Sequence, residues 1–116
     1  MLTIQPDQMQ AFGDLMRQRF VDGEIARVRR ERPEQAARVD DERIRQFVEQ
    51  AIQRAAVYGL VGVADVQRFI DLNFRLGPNF EDRSEHQPVC VLLEALEVSG
   101  RIRLDRVDRL LAERGL

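Results

Sequence analysis

Apolar residues recur at intervals of three and four through most of this 116-residue chain, and single glycines and prolines cut that rhythm into segments. Ile44, Phe47, Val48, Ala51, Ile52 and Ala55 fall on one face of a helix, and Val66, Phe69, Ile70 and Leu76 fall on one face of another. Clean period-two alternation is missing, threonine occurs once, and aromatics make up 6% of the residues, so strands have little to build on. The pattern predicts an all-α fold, a compact bundle of about five helices forming a single helical domain over residues 1–116.

The punctuation sets the expected boundaries. A first helix opens near Pro6, with Asp7 at the positive end of its dipole and Met9, Phe12, Met16 and Phe20 as its stripe. Ile25 and Val28 continue that stripe until Pro33 ends it. After a short turn at "PEQAARV", Asp40 or Asp41 caps a second helix that runs to Tyr58, where Gly59 suits a left-handed C-terminal position. The third helix spans Val63 to Leu76 and is stopped by Gly77 and Pro78. "NFEDRSEHQ" reads as a polar loop. A fourth helix is expected from Pro88 to Val98, stopped by Gly100 and lined by Val89, Leu92, Leu93 and Leu96. A fifth, from Leu104 to Arg114, carries Leu104, Val107, Leu110 and Leu111.

Composition narrows the class of function. With 44% hydrophobic and 33% charged residues the chain is globular in character, and a formal net charge of −2 supplies no global pull toward nucleic acid or an anionic membrane. All 18 basic residues are arginine, so each cationic contact is a planar fork suited to carboxylates and aromatic faces. Cys90 is the only cysteine, which fits a reducing compartment. "MLTIQPDQMQAF" lacks a basic region followed by an apolar run, so no secretory signal is expected and the expected location is the cytoplasm.

Residues that carry chemistry are sparse. His86 and Cys90 stand four apart and could meet on one helical turn, but a nucleophile also needs an orienting group and an oxyanion site. Cys90 lies within "PVCVLLEAL", the setting of a small buried thiol. Glu81, Asp82, Glu85 and His86 lack the spacing of a zinc or calcium site, and no glycine-rich phosphate loop is present. No catalytic residue, metal or cofactor is therefore expected. The two helices joined by "GLVG" have a helix-turn-helix outline, yet the second offers Asp65 and Asp71 beside Gln67, Arg68 and Arg75, and carboxylates on that face oppose phosphates.

Partner recognition remains. Gly77–Pro78–Asn79–Phe80 is stiffened by its proline and carries a phenylalanine among polar residues, with arginines on both sides. Arg75, Asn79, Phe80, Asp82 and Arg83 are the candidate partner-binding residues. Two placements of Phe80 fit the sequence: an exposed anchor, or a lid folded back on the core. The first helix is a second candidate surface and could join two copies of the chain.

"MLTIQPDQMQAF" and "AAVYGLVGVADVQRFIDLNFRLGPNFED" together resemble a family of small helical bacterial proteins encoded beside type VI secretion spike, PAAR-tip and toxin genes. Tyr58, Gly59, Asp65, Val66, Gly77 and Phe80 carry the likeness, which covers roughly residues 1 to 82. The resemblance implies a non-catalytic accessory factor, an adaptor or co-chaperone for effector loading, whose partner is a secreted effector, its chaperone or a spike component. A cytoplasmic immunity protein that binds a toxin and a helix-turn-helix-like DNA-binding regulator are the alternatives. Neither nucleic acid nor membrane is an expected partner of the accessory factor.

Overall fold

The computed structural model describes the backbone of residues 6–115 and the side chains from residue 13 onward. Among the described residues six helices follow one another: α1 Pro6–Glu31, α2 Pro33–Ala36, α3 Asp41–Val57, α4 Val63–Leu76, α5 Gln87–Leu93 and α6 Gly100–Glu113. Two 3₁₀ turns, Phe80–Asp82 and Ser84–His86, lie between α4 and α5. Among the described residues there is no strand, and the fold is all-α, with five helices of seven residues or more. The backbone divides into two compact units, 1–49 and 50–116, where the sequence led us to expect one; the boundary falls within α3.

In the first unit Val21, Ile25 and Val28 form the buried face of α1. Glu24 is buried among them, and its charge is met by Arg27 at 2.5 Å, one turn on. Pro33 opens α2 directly after α1 ends at Glu31, because a proline fits a first-turn position and not a helix interior. Arg29 ties this corner together. It donates to the carbonyls of Ala36 (3.2 Å) and Val39 (2.9 Å) and pairs with Asp41 at 2.6 Å. Asp40 caps α3, its Oδ1 accepting from the Arg43 amide at 2.9 Å. Of the stripe expected on α1, Met16 is exposed and Phe20 is half-buried; the side chains of Asp7, Met9 and Phe12 lie outside those described. Residues 13–19 are exposed throughout.

In the second unit Gly59 takes φ +72°, the left-handed turn that a glycine enters without steric cost, and the chain reverses into α4. Val66, Phe69, Ile70, Leu72 and Leu76 of α4 are buried, as are Val89, Cys90 and Leu93 of α5 and Leu104, Val107 and Leu111 of α6. Tyr58, Phe69 and Phe80 form a chain of tilted rings with centroids 6.0 and 5.8 Å apart, and His86 meets the Phe80 ring edge-on at 6.3 Å.

Two boundaries differ from the sequence reading. α5 ends at Leu93, not Val98, and Leu96 is left exposed. Arg103, buried within α6, holds the carbonyls of both Leu93 (2.5 Å) and Val98 (3.0 Å), and the Leu93 carbonyl is one that a longer α5 would have used for a helical bond. α6 starts four residues earlier than Leu104: Ser99 caps it, accepting from the Ile102 amide at 3.4 Å, and Gly100 is its first residue. Gly100 therefore opens a helix. A side chain there would come within 2.6 Å of Asp65 Oδ2 and 2.7 Å of Leu60 Cδ2, so any larger residue would force the Asp65 and buried Leu60 side chains to shift.

Candidate functional site

The segment after α4 is not a solvated loop. Phe80 is 0% exposed, so it is the lid on the core and its ring is not available as a surface anchor. It packs inward because Asn79 turns the chain in the left-handed region (φ 57°), the only non-glycine residue to do so among the described residues. Arg54 of α3 holds that turn in place. Its Nε pairs with Glu81 at 3.0 Å, one terminal nitrogen donates to Asn79 Oδ1 at 2.9 Å, and the other donates to Asn73 Oδ1. Asn73 in turn donates to the Phe69 carbonyl at 2.8 Å, and the guanidinium lies over the Phe69 ring at 5.7 Å. Three elements meet on one arginine, so the segment is fixed before any partner arrives.

The other residues singled out from sequence stay on the surface, but several are already engaged. Arg75 is exposed and faces Asp108 of α6 at 3.4 Å. Arg83 is exposed, donates to the Leu76 carbonyl at 3.2 Å, and covers Gly77, whose φ of +99° a side chain would not tolerate. Asn79 is exposed and serves as the acceptor for Arg54 just described. Asp82 is exposed, its amide bonded to the Asn79 carbonyl at 3.0 Å. With Phe80 inside, these four form a polar rim without an aromatic centre.

His86 and Cys90 do different things. His86 edges against Phe80, whereas the Cys90 thiol is buried and points at the Glu81 carbonyl, 3.8 Å away. Burial first, then the charges of Glu81 and Glu94, push the Cys90 thiol above its ordinary value, the opposite of what an attacking thiolate needs. Tyr58, beside it, is pushed up to about 12, again by burial first and then by Cys90, Glu81 and Glu94. Glu81 Oε1 is buried without a hydrogen-bond partner, while its Oε2 serves Arg54. Among the described residues no group of three or more His, Cys, Asp or Glu could hold a metal ion, and no helix is long and apolar enough to cross a membrane. The α4 arginines are also committed: Arg68 pairs with Asp105 at 2.9 Å and Asp108 at 2.7 Å.

The surface that sequence reasoning passed over lies at the helix junctions. Val57, Val61 and Val63 are 77%, 78% and 62% exposed, and they stand together around the α3–α4 turn. Between Arg54 and Asp65 no residue carries a charge, although a third of the chain is charged. Leu96, 62% exposed, sits in the α5–α6 connection. Arg103 joins the two connections: the nitrogen that holds the Leu93 carbonyl also donates to the Tyr58 carbonyl at 2.7 Å. The signal was present in "AAVYGLVGVA", an uncharged run that is longer than one turn needs. No family model, curated protein or solved structure matches this chain.

Proposed function

We propose that this chain works by binding another protein and performs no chemistry of its own. The observation that carries the reading is the exposed, uncharged turn of Val57, Val61 and Val63. Isolated exposed valines are ordinary, but three around one turn, on a framework pinned by Arg54 and Arg103, form a preorganised apolar surface of the kind interfaces use. The polar groups that could have served catalysis are occupied in structure: Arg54, Asn73 and Glu81 fix the Phe80 segment, and Cys90 is a buried thiol.

The resemblance of "YGLVGVADVQRFIDLNFRLGPNFED" to type VI secretion accessory proteins gives the binding a setting. In that setting the chain is a cytoplasmic adaptor or co-chaperone that helps load an effector. Capture of the tagged chain from its native host, with identification of what it retains, tests this. A retained effector, effector chaperone or spike component supports it, as does loss of effector secretion without loss of viability when the gene is removed. Death of the cell on removal would instead mark an immunity protein. Binding of duplex DNA with steep salt dependence would mark a regulator; Arg68 and Arg75, the arginines a reading helix would use, are instead faced by Asp105 and Asp108.

A further inference from the structure

Residues 77–86 lie over the core of the second unit and contain two short 3₁₀ turns between α4 and α5. Their backbone bonds are local: the Asp82 amide donates to the Asn79 carbonyl at 3.0 Å, the Arg83 amide to the Phe80 carbonyl at 3.1 Å, and the His86 amide to the Arg83 carbonyl at 3.1 Å. Among the described residues no backbone-to-backbone hydrogen bond ties residues 78–85 to α3, α4 or α6. Side chains hold the segment down instead. Phe80 fills the core against Phe69, and Arg54 reaches across to Asn79 Oδ1 and Glu81 Oε2. The Cys90 thiol meets the Glu81 carbonyl at 3.8 Å.

Two features work against closure. Asn79 sits in the left-handed region, which a residue with a side chain enters at a cost, and Glu81 Oε1 is buried without a hydrogen-bond partner. Opening relieves both, and water takes over the bonds that Arg54 makes to Asn79 and Glu81. The burial of Phe80 is then the main loss on opening, while the helices keep Val66, Ile70, Leu93, Leu104 and Leu111 packed.

We propose that residues 77–86 are a strap that opens as a unit while α4, α5 and α6 stay folded, with Phe80 as its plug and Arg54 as its latch, and that the open form uncovers Phe69 and Cys90. A segment with so few bonds beyond itself opens below the free energy of global unfolding. Exposure of this part of the core is therefore an equilibrium, shifted by whatever favours the open form.

The test uses the full chain. Cys90 is its only cysteine, so iodoacetamide labelling followed by intact mass reads this thiol alone. Labelling of the folded protein should run faster than global unfolding allows and depend only weakly on urea at low concentration, because an opening strap exposes little surface. Arg54→Ala should speed it about tenfold or more by removing the latch. Val107→Ala, in the buried face of α6, should lower global stability and leave the low-urea labelling rate within about twofold. Hydrogen exchange of the wild type should show the same split, with a shallow urea dependence for the Asp82, Arg83 and His86 amides and a steep one for the interior of α6. Labelling that follows global unfolding at every urea concentration would overturn the proposal, as would a rate that rises as much in Val107→Ala as in Arg54→Ala. An unchanged rate in Arg54→Ala, or exchange in the strap no faster than in α6, would overturn it too.

Discussion

Arg103, buried in α6, donates to the backbone carbonyl of Tyr58 at 2.7 Å, a residue 45 positions earlier in the chain. The same guanidinium takes the carbonyls of Leu93 and Val98, so one side chain satisfies acceptors from three stretches of backbone. Substitution by lysine keeps the charge but not the planar fork, and leaves carbonyls without a donor. Arg103→Lys should lower the unfolding free energy by about 2 kcal/mol, and Arg103→Ala by more, in urea titrations followed by circular dichroism. An unchanged midpoint for Arg103→Lys would show that the fork is not what joins the helix ends.

Phe80 is a core residue, and its removal should behave accordingly. Phe80→Ala leaves a cavity against Phe69 and His86 and should cost about 4 kcal/mol. The measurement is thermal melting with partner capture at a temperature where the variant is folded. Lost capture without lost stability would return Phe80 to the exposed-anchor role, one of the two placements that fit its sequence context.

Arg54 and Glu81 should prove coupled. Arg54→Ala strands a mostly buried carboxylate and should cost about 3 kcal/mol, while the double variant with Glu81→Ala should recover part of that loss. A double-mutant cycle measures this directly. Strict additivity would mean that the ion pair does not hold the Phe80 segment.

Tyr58 is the only tyrosine in a chain without tryptophan, so the near-ultraviolet tyrosinate band reports on it alone. In the folded protein it should ionise near 12, against 10 for an unperturbed tyrosine, because burial and the nearby Cys90, Glu81 and Glu94 disfavour the phenolate. The folded state then holds its proton more tightly than the unfolded chain. Stability linked to this group is intact below pH 10 and falls as pH rises from 10 toward 12. A native titration midpoint at the ordinary value would place the half-buried phenol wholly in water.

α3 and α4 were legible because an apolar stripe ended on a glycine in each, whereas the stripe read as ending at Gly100 was not a single helix. α4 begins and ends where Val66, Phe69, Ile70 and Leu76 with Gly77 said it would, and α3 closes at Gly59. Where the sequence misled or left a choice open, a single arginine acts across a long sequence separation. Nothing local in "LLEALEVSGR" announces that Arg103 will take the Leu93 and Val98 carbonyls. Within "GPNFEDR" both placements of Phe80 stayed open, because the residue that settles it inward, Arg54, comes from α3. At the candidate site, Arg75, Asn79, Asp82 and Arg83 were visible as polar surface, but the valine turn was not, because Val57, Val61 and Val63 read as ordinary helix flanks until their exposure was known.

The central claim is that the valine turn is the working surface. The most direct measurement compares capture from the native host by the tagged wild-type chain and by Val57→Asp/Val61→Asp, with circular dichroism matched between the two. The account predicts that a stoichiometric protein partner on the wild type disappears from the variant. The same partner retained equally by both would contradict it.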